Sequence, residues 1–270
     1  MISKSNYRKA LFLLRSKGVG ALARKLMAKT RSWLAREPSE HLIAFHVLKD
    51  TATARVMIDV GASTGITLAP FADAGWRVYA FEPDPRNRAV LERTFGDYPN
   101  VVIDPRAVSN EAREAAPFYS SEISLGISGL TPFHTTHRQT ETVNITTLSA
   151  FLNENRISSV DLLKVDTEGH DLFVLQGFPW ETIKPSVLIC EFDDAKTAQL
   201  GYSWFDLASY LQGLDYLILV SEWELHTDYG GRNRWIQVAE FPCKLTSDLA
   251  WGNIIALKSV DMMKTVLGKF

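Results

Sequence analysis

Apolar and polar positions change rhythm near residue 55, where short β-branched runs begin to alternate with stretches of helical spacing. "RVMIDVGASTG" (55–65) is an apolar strand that stops at a glycine-rich turn, and "ITLAPFADAG" (66–75) predicts a short helix ending at Gly75. "WRVYAFEPD" (76–84) is a second strand. "PRNRAVLERTFG" (85–96) predicts a helix, with Pro85 near its first position and Gly96 just past its end. "NVVIDPRAVS" (100–109) is a third strand. Further on, "TTLSAFLNEN" (146–155), "EGHDLFVLQGF" (168–178) and "YSWFDLASYLQGL" (202–214) read as helices. "VDLLKVD" (160–166), "SVLICEFD" (186–193) and "DYLILVSE" (215–222) are strands between them, and "WGNIIALK" (251–258) is a seventh. Strands alternating with helices predict an α/β fold, a mostly parallel seven-stranded sheet with helices on both faces. Residues 110–144, rich in Ser, Thr and Gly, read as extended segments and a loop. The stretch 223–250 reads as aromatic and irregular, with Gly230-Gly231 as a turn signal.

Before residue 55 the picture is different. Leu11, Leu14, Val19, Leu22, Leu26 and Trp33 recur near helical period, with basic residues between them. Residues 1–36 hold ten Lys or Arg and no Asp or Glu, which leaves nineteen basic against thirty-one acidic residues in the rest of the chain. We therefore divide the chain into a basic amphipathic helical extension (1–50), a main α/β domain (51–260) and a C-terminal tail (261–270). A basic amphipathic helix can lie on an anionic membrane surface, or pack on an acidic body or partner. Nucleic acid is not favoured, because no recognition module accompanies the arm.

Composition adds few constraints. Hydrophobic residues at 46% and charged residues at 22% are ordinary for a globular protein. No run approaches the roughly 20 apolar residues of a membrane span, and "ALFLL" (10–14) is too short for a signal-peptide core. Cys190 and Cys243 offer neither a disulfide framework nor zinc spacing. Cys190, in "VLICEF", reads as a buried strand thiol. The expected location is the reducing cytoplasm, with residues 1–36 making peripheral contact with the inner face of a membrane.

Ligands of open α/β sheets bind at the carboxyl ends of strands, so the residues there carry the chemistry. Strand one ends Asp59-Val60-Gly61-Ala62-Ser63-Thr64-Gly65. It lacks the Gly-Lys-Ser/Thr of a P-loop and the Gly-x-Gly-x-x-Gly order of dinucleotide binders, which argues against an NAD-type oxidoreductase. Strand two ends at Glu82-Pro83-Asp84, where a carboxylate can accept both hydroxyl protons of a ribose. Asp104 or Asn110, around strand three, could meet an adenine edge. Strand four runs into "LLKVDTEGHD" (162–171), which gathers Lys164, Asp166, Glu168, His170 and Asp171. Asp166 or Thr167 also suits a helix cap, and acids in a first turn suit the helix dipole.

An acidic-Gly-x-x-x-Gly turn after strand one and an acidic end to strand two point to S-adenosyl-L-methionine. The chain resembles an FkbM-type methyltransferase, within the class I, Rossmann-like, S-adenosylmethionine-dependent group. The matching segments are "MIDVGASTGITL", "VYAFEPDPRNRAVL", "RAVSNEA", "VNITTLSAFL", "VDLLKVDTEGHDLFVLQG" and "LICEFDD", running from about residue 56 to 194 in the family's order. The resemblance implies that Asp59, Gly61, Ala62, Ser63 and Gly65, with Asp166, line the methionine and ribose part of the cofactor. It implies that Glu82 and the adjoining Pro83 hold the ribose end, and that Ala107 and Val108 lie near the adenine. Ser63 departs from the family's usual Asn, and Ser149 from its common Asp.

The resemblance implies O-methylation of a hydroxyl; a small molecule or glycan is the expected acceptor, and the basic residues 1–36 favour a sugar or lipid-linked saccharide. A non-catalytic module that binds the cofactor or a partner is the alternative. A hydroxyl acceptor must give up its proton, which calls for a base. His170 is the first candidate because its ordinary pKa lies near neutrality, with Asp166 or Glu168 orienting it or the acceptor. Some class I O-methyltransferases bind a divalent cation at the ends of strands four and five. Here Asp166 with Asp193 and Asp194 offers oxygen ligands for Mg²⁺, a possible but not favoured cofactor. Glu191 lies beside them, and the alternative is that it orients substrate or faces solvent. His134 and His137 could belong to a lid, and Trp223, Tyr229 and Trp235 could form an aromatic wall for a sugar ring.

Deleting residues 1–36 is expected to release the protein from anionic liposomes in a flotation assay. Unchanged binding would contradict the membrane role of the arm.

Overall fold

The computed structural model describes residues 38–121, 126–224, 233–247 and 250–270. The expected extension over 1–36, together with Tyr229 and Gly230-Gly231, lies outside the described residues. Among the described residues no helix is long and apolar enough to cross a membrane.

The strands are β1 (Val56–Val60), β2 (Arg77–Phe81), β3 (Val101–Asp104), β4 (Ala107–Val108), β5 (Arg113–Ser120) and β6 (Arg138–Thr146). They continue with β7 (Leu162–Val165), β8 (Val187–Asp193), β9 (Leu217–Trp223), β10 (Trp235–Glu240) and β11 (Trp251–Leu257). Eight of them form one sheet in the order β10-β9-β11-β8-β7-β1-β2-β3. From β8 to β3 the pairs are parallel, while β11 runs antiparallel to both β8 and β9. The sheet has one strand more than the pattern predicts. The extra strand is β10, which pairs only with β9, is only half-buried and carries a register shift near Trp235. An edge strand of this kind shows no continuous apolar run.

The helices are α1 (Glu40–Leu48), α2 (Ala69–Asp73), α3 (Pro85–Phe95), α4 (Leu148–Glu154), α5 (Asp171–Gln176), α6 (Asp194–Thr197), α7 (Trp204–Gly213) and α8 (Val260–Leu267). Alternation along β1 divides the core. Val56, Ile58 and Val60 pack with α4, α5 and α7 on one face. Met57 lies on the other face, with the apolar residues of α1, α2, α3 and α8. The doubly wound α/β architecture follows from this period-two partition.

Residues 107–146 build a second sheet of three strands in the order β4-β6-β5. Ala107, Phe118 and Val143 form its small core, with Leu130 and Ile145 against it. Leu130 belongs to a return segment whose Gly129 exchanges two backbone hydrogen bonds with Tyr119, each 2.9 Å. This sheet stands beside the carboxyl edge of β1 and β2.

Helix α1, grouped by its sequence with the basic extension, packs into the main core through Ile43, Ala44, Val47 and Leu48. Its Glu40 is buried. One carboxylate oxygen accepts from Ser221 Oγ at 2.7 Å and from Trp223 Nε1 at 2.8 Å. Residues 261–270, read as a tail, mostly belong to α8, whose Met263 and Val266 are buried in the same core.

Glu40→Ala would leave two buried donors without their acceptor. The expected loss is about 3 kcal/mol in a denaturant titration. Leu42→Ala, at a 42% exposed position, should change stability by about 0.5 kcal/mol or less. Equal effects would contradict the anchoring role of Glu40.

Candidate active site

The strand-one turn is held by its neighbours. Gly61 and Ala62 donate N–H bonds to the carbonyl of Phe81 at the end of β2, at 3.1 and 3.0 Å. Gly61 has φ +79°, and a Cβ there would lie 1.9 Å from the Asp166 carbonyl oxygen, so only glycine fits between the ends of β1 and β7. Gly65 has φ +80°, and a Cβ there would meet the Phe95 and Leu91 side chains of α3 at 2.5 and 2.6 Å. It is a packing glycine rather than a ligand contact. Ser63 has φ +50°, a left-handed conformation in which Asn is favoured over most other residues.

Asp59 is fully buried. It accepts from Thr67 Oγ1 at 2.6 Å and lies 3.2 Å from the Lys164 ammonium. Lys164 also reaches Asp166, at 3.3 Å. Burial pulls its pKa down, but Asp166 and Asp59 outweigh that and raise it, so the ammonium stays charged.

Glu82 is 4% exposed. One of its oxygens accepts from the Ser63 N–H at 2.6 Å and the other from the Asp84 N–H at 2.8 Å. Burial pushes its pKa up to about 7, against those two hydrogen bonds. Asp84 caps α3 through the Arg86 N–H, pairs with the Arg86 guanidinium at 2.7 Å and accepts from Ser128 Oγ at 2.7 Å. It thereby ties the return segment of the three-stranded sheet to the end of β2.

These elements enclose a cavity at the carboxyl edge of β7, β1 and β2. Among the predicted residues, Gly61, Ser63, Glu82, Pro83, Ala107, Val108, Asp166, Glu168 and His170 line it. Asp59, Ala62, Gly65, Asp193 and Asp194 do not. Asp59 and Ala62 are buried beneath the turn. Arg106, Phe118, Ser128 and Leu130 also line the cavity and were missed by sequence reading. Phe118, Ser128 and Leu130 come from the Ser/Thr-rich insertion, and Arg106 from the segment that follows β3. Asp104 sits away from the cavity, paired with Arg106 at 2.8 Å.

The loop between β7 and α5 is turned by two left-handed residues, Glu168 at φ +59° and Gly169 at +93°. His170 Nε2 lies 3.0 Å from Ser109 Oγ, which itself donates to Asn110 Oδ1. Among the described residues the other ring nitrogen, Nδ1, is buried with no hydrogen-bond partner. Burial brings the His170 pKa down to about 4, so the ring is neutral at pH 7 and holds an added proton weakly. Asp171 is buried beneath, accepting from Thr167 Oγ1 at 3.1 Å, and burial with repulsion from Asp166 raises its pKa to about 6.

The expected Asp166, Asp193 and Asp194 ligand set does not assemble. Asp193 accepts from the Ala195 N–H and starts α6, and Asp194 accepts from the Trp204 N–H at 2.6 Å. Asp166 instead faces Glu168 and Glu191. Between Glu168 and Glu191 stands the Lys196 ammonium, 2.8 Å from the first and 2.7 Å from the second. An ammonium already stands within that donor set, which does not fit Mg²⁺ while Lys196 is charged there.

His137 is buried in the three-stranded sheet. It bonds the Ile127 carbonyl at 2.6 Å and accepts from the Phe133 N–H, a structural role away from the cavity lining. His134 bonds Thr136 in the same turn. Trp223 is engaged with Glu40, and Trp235 stacks on Phe270 at 5.7 Å.

The methyltransferase FkbM domain family matches residues 59–218, more than half of the chain. No curated protein matches it. Similar solved structures include a precorrin-6y C5,15-methyltransferase from Geobacter metallireducens, with 11% identity, 81% of this chain and 88% of that chain covered, and a TM-score of 0.40. A precorrin 8w decarboxylase from Methanobacterium thermoautotrophicum has 14% identity, coverage of 82% and 91%, and a TM-score of 0.41. An rRNA methylase from Streptococcus thermophilus has 12% identity, coverage of 81% and 93%, and a TM-score of 0.39. Likeness at this level says nothing about an acceptor.

Proposed function

We propose that this chain, which belongs to the FkbM methyltransferase family, transfers the methyl group of S-adenosylmethionine to a hydroxyl oxygen of a small molecule or glycan. The observation that carries the cofactor assignment is the Glu82 carboxylate. Each of its oxygens already accepts one backbone N–H, which leaves a lone pair on each for two vicinal ribose hydroxyls. Gly61, fitted against the Asp166 carbonyl, lines the cavity on the side where the chain carrying the sulfonium would lie. Ala107 and Val108 offer an apolar floor for a purine on the other.

The cofactor supplies an electrophilic methyl: the acceptor oxygen bonds to its carbon as the sulfur–carbon bond breaks, and the electron pair stays on sulfur. The residues must then orient the acceptor and take its proton. Burial weakens His170 as a base, which favours the carboxylates of Glu168 and Asp166 at the end of β7. His170, fixed through Ser109, is better suited to shaping the cavity wall. The basic residues 1–36 favour an acceptor near an anionic membrane surface, such as a lipid-linked sugar.

Ribose hydroxyls donate to the ionised form of Glu82, so binding must remove its proton wherever the carboxyl is protonated. With a free-state pKa of about 7, S-adenosylhomocysteine is expected to bind about tenfold more weakly at pH 6 than at pH 8, by proton linkage. Isothermal titration measures this, and in Glu82→Gln the affinity should be lower and flat with pH. A pH-independent affinity in the unaltered protein would overturn the ribose role of Glu82.

A further inference from the structure

Lys196 has no place in the cofactor scheme, yet it sits at a junction of carboxylates. Asp166, Glu168 and Glu191 each bring one oxygen within 4.8 Å of the others, a donor set of the kind a divalent cation takes. Lys196 is 7% exposed. Besides its bonds to Glu168 and Glu191, its ammonium lies 3.6 Å from Asp193 and 5.6 Å from the face of the Phe133 ring. Its placement is built into the backbone. Asp193 caps α6 through the Ala195 N–H. Across from α6, a Cβ on Gly169 would come within 3.0 Å of Lys196 Cβ, so glycine at that position makes room for the lysine stem. Burial raises the Glu168 carboxyl to about 7 and the Glu191 carboxyl well above its ordinary value, against the pull of Lys196, while Glu168, Glu191 and Asp193 outweigh the effect of burial on the lysine and keep it charged.

We propose that Lys196 is a built-in cation that takes the place of a divalent metal at this carboxylate set and holds Glu168 in position at the cavity wall. Lys196 does not line the cavity. It acts through Glu168 and is a positioning residue. An ammonium, unlike a metal, offers no coordination site to the acceptor oxygen, so the hydroxyl proton leaves to the Glu168 carboxylate without Lewis-acid assistance. That last step rests on the methyl-transfer reading above, whereas the replacement of a metal by Lys196 stands on the geometry alone.

The test is a Mn²⁺ titration of the full chain at pH 7.5, followed by electron paramagnetic resonance, with no cofactor or acceptor present. The unaltered protein is expected to take up no Mn²⁺ that Glu191→Gln abolishes. Lys196→Met should gain one Mn²⁺ site, and Lys196→Met with Glu191→Gln should bind it at least tenfold more weakly. Folded Lys196→Met without Mn²⁺ uptake would overturn the proposal. So would uptake by the unaltered protein that Glu191→Gln removes, a comparison that decides the matter even if Lys196→Met fails to fold. Loss of methyl transfer for any other reason leaves these readings untouched.

Discussion

A buried ammonium between two adjacent parallel strands sets the geometry of the whole carboxyl edge. Lys164 on β7 stands in register with Asp59 on β1 and reaches Asp166 one step beyond its own strand. Removing an ammonium from water is expensive unless it is paired and hydrogen-bonded, so the two strand ends and the loop after β7 are held to one another. That closeness puts the Asp166 carbonyl against Gly61, where no side chain fits. The turn that follows then delivers the Ser63 N–H to Glu82. A structural charge pair at the base of the site thus dictates the ligand-facing groups above it.

The same logic sorts the other carboxylates. Asp84 is matched by Arg86, Asp104 by Arg106, and Glu168 and Glu191 by Lys196. Glu82, at the end of β2, instead relies on the backbone N–H groups of Ser63 and Asp84. A buried carboxylate without a neutralising side chain is a poor stability element. In the proposed function, the ribose hydroxyls of a bound nucleoside would complete its hydrogen bonding and offset that burial.

Much of this was legible in the sequence because strand and helix periods are local. The seven strands read from apolar runs all contribute to the central sheet, the third (100–109) only through β3, since Ala107–Val108 leaves as β4 for the smaller sheet, and Gly61, Glu82 and the Asp166 loop converge where strand ends predict. What local pattern could not show was which charged residue faces a ligand and which faces another charge. Asp59 and Gly65 belong to a shared motif, yet one is paired beneath the turn and the other packs against α3. Lys196, in "DDAKTAQL", carries no periodic signal, since its partners come from β8 and the loop after β7. Its one hint was a basic residue placed just after three acidic ones. Strand β10 and the docking of α1 through Glu40 escaped for the same reason: an edge strand and a long-range hydrogen bond leave no repeat to count.

In the proposed function this edge of the sheet holds a nucleoside with a sulfonium arm, oriented by Glu82 and ending at the carboxylates after β7. A crystal structure of the protein with S-adenosylhomocysteine tests it most directly. The account predicts both ribose hydroxyls on the Glu82 carboxylate, the adenine beside Ala107 and Val108, and the sulfur toward Asp166 and Glu168. A ribose away from Glu82, or a nucleoside bound elsewhere on the molecule, would contradict it.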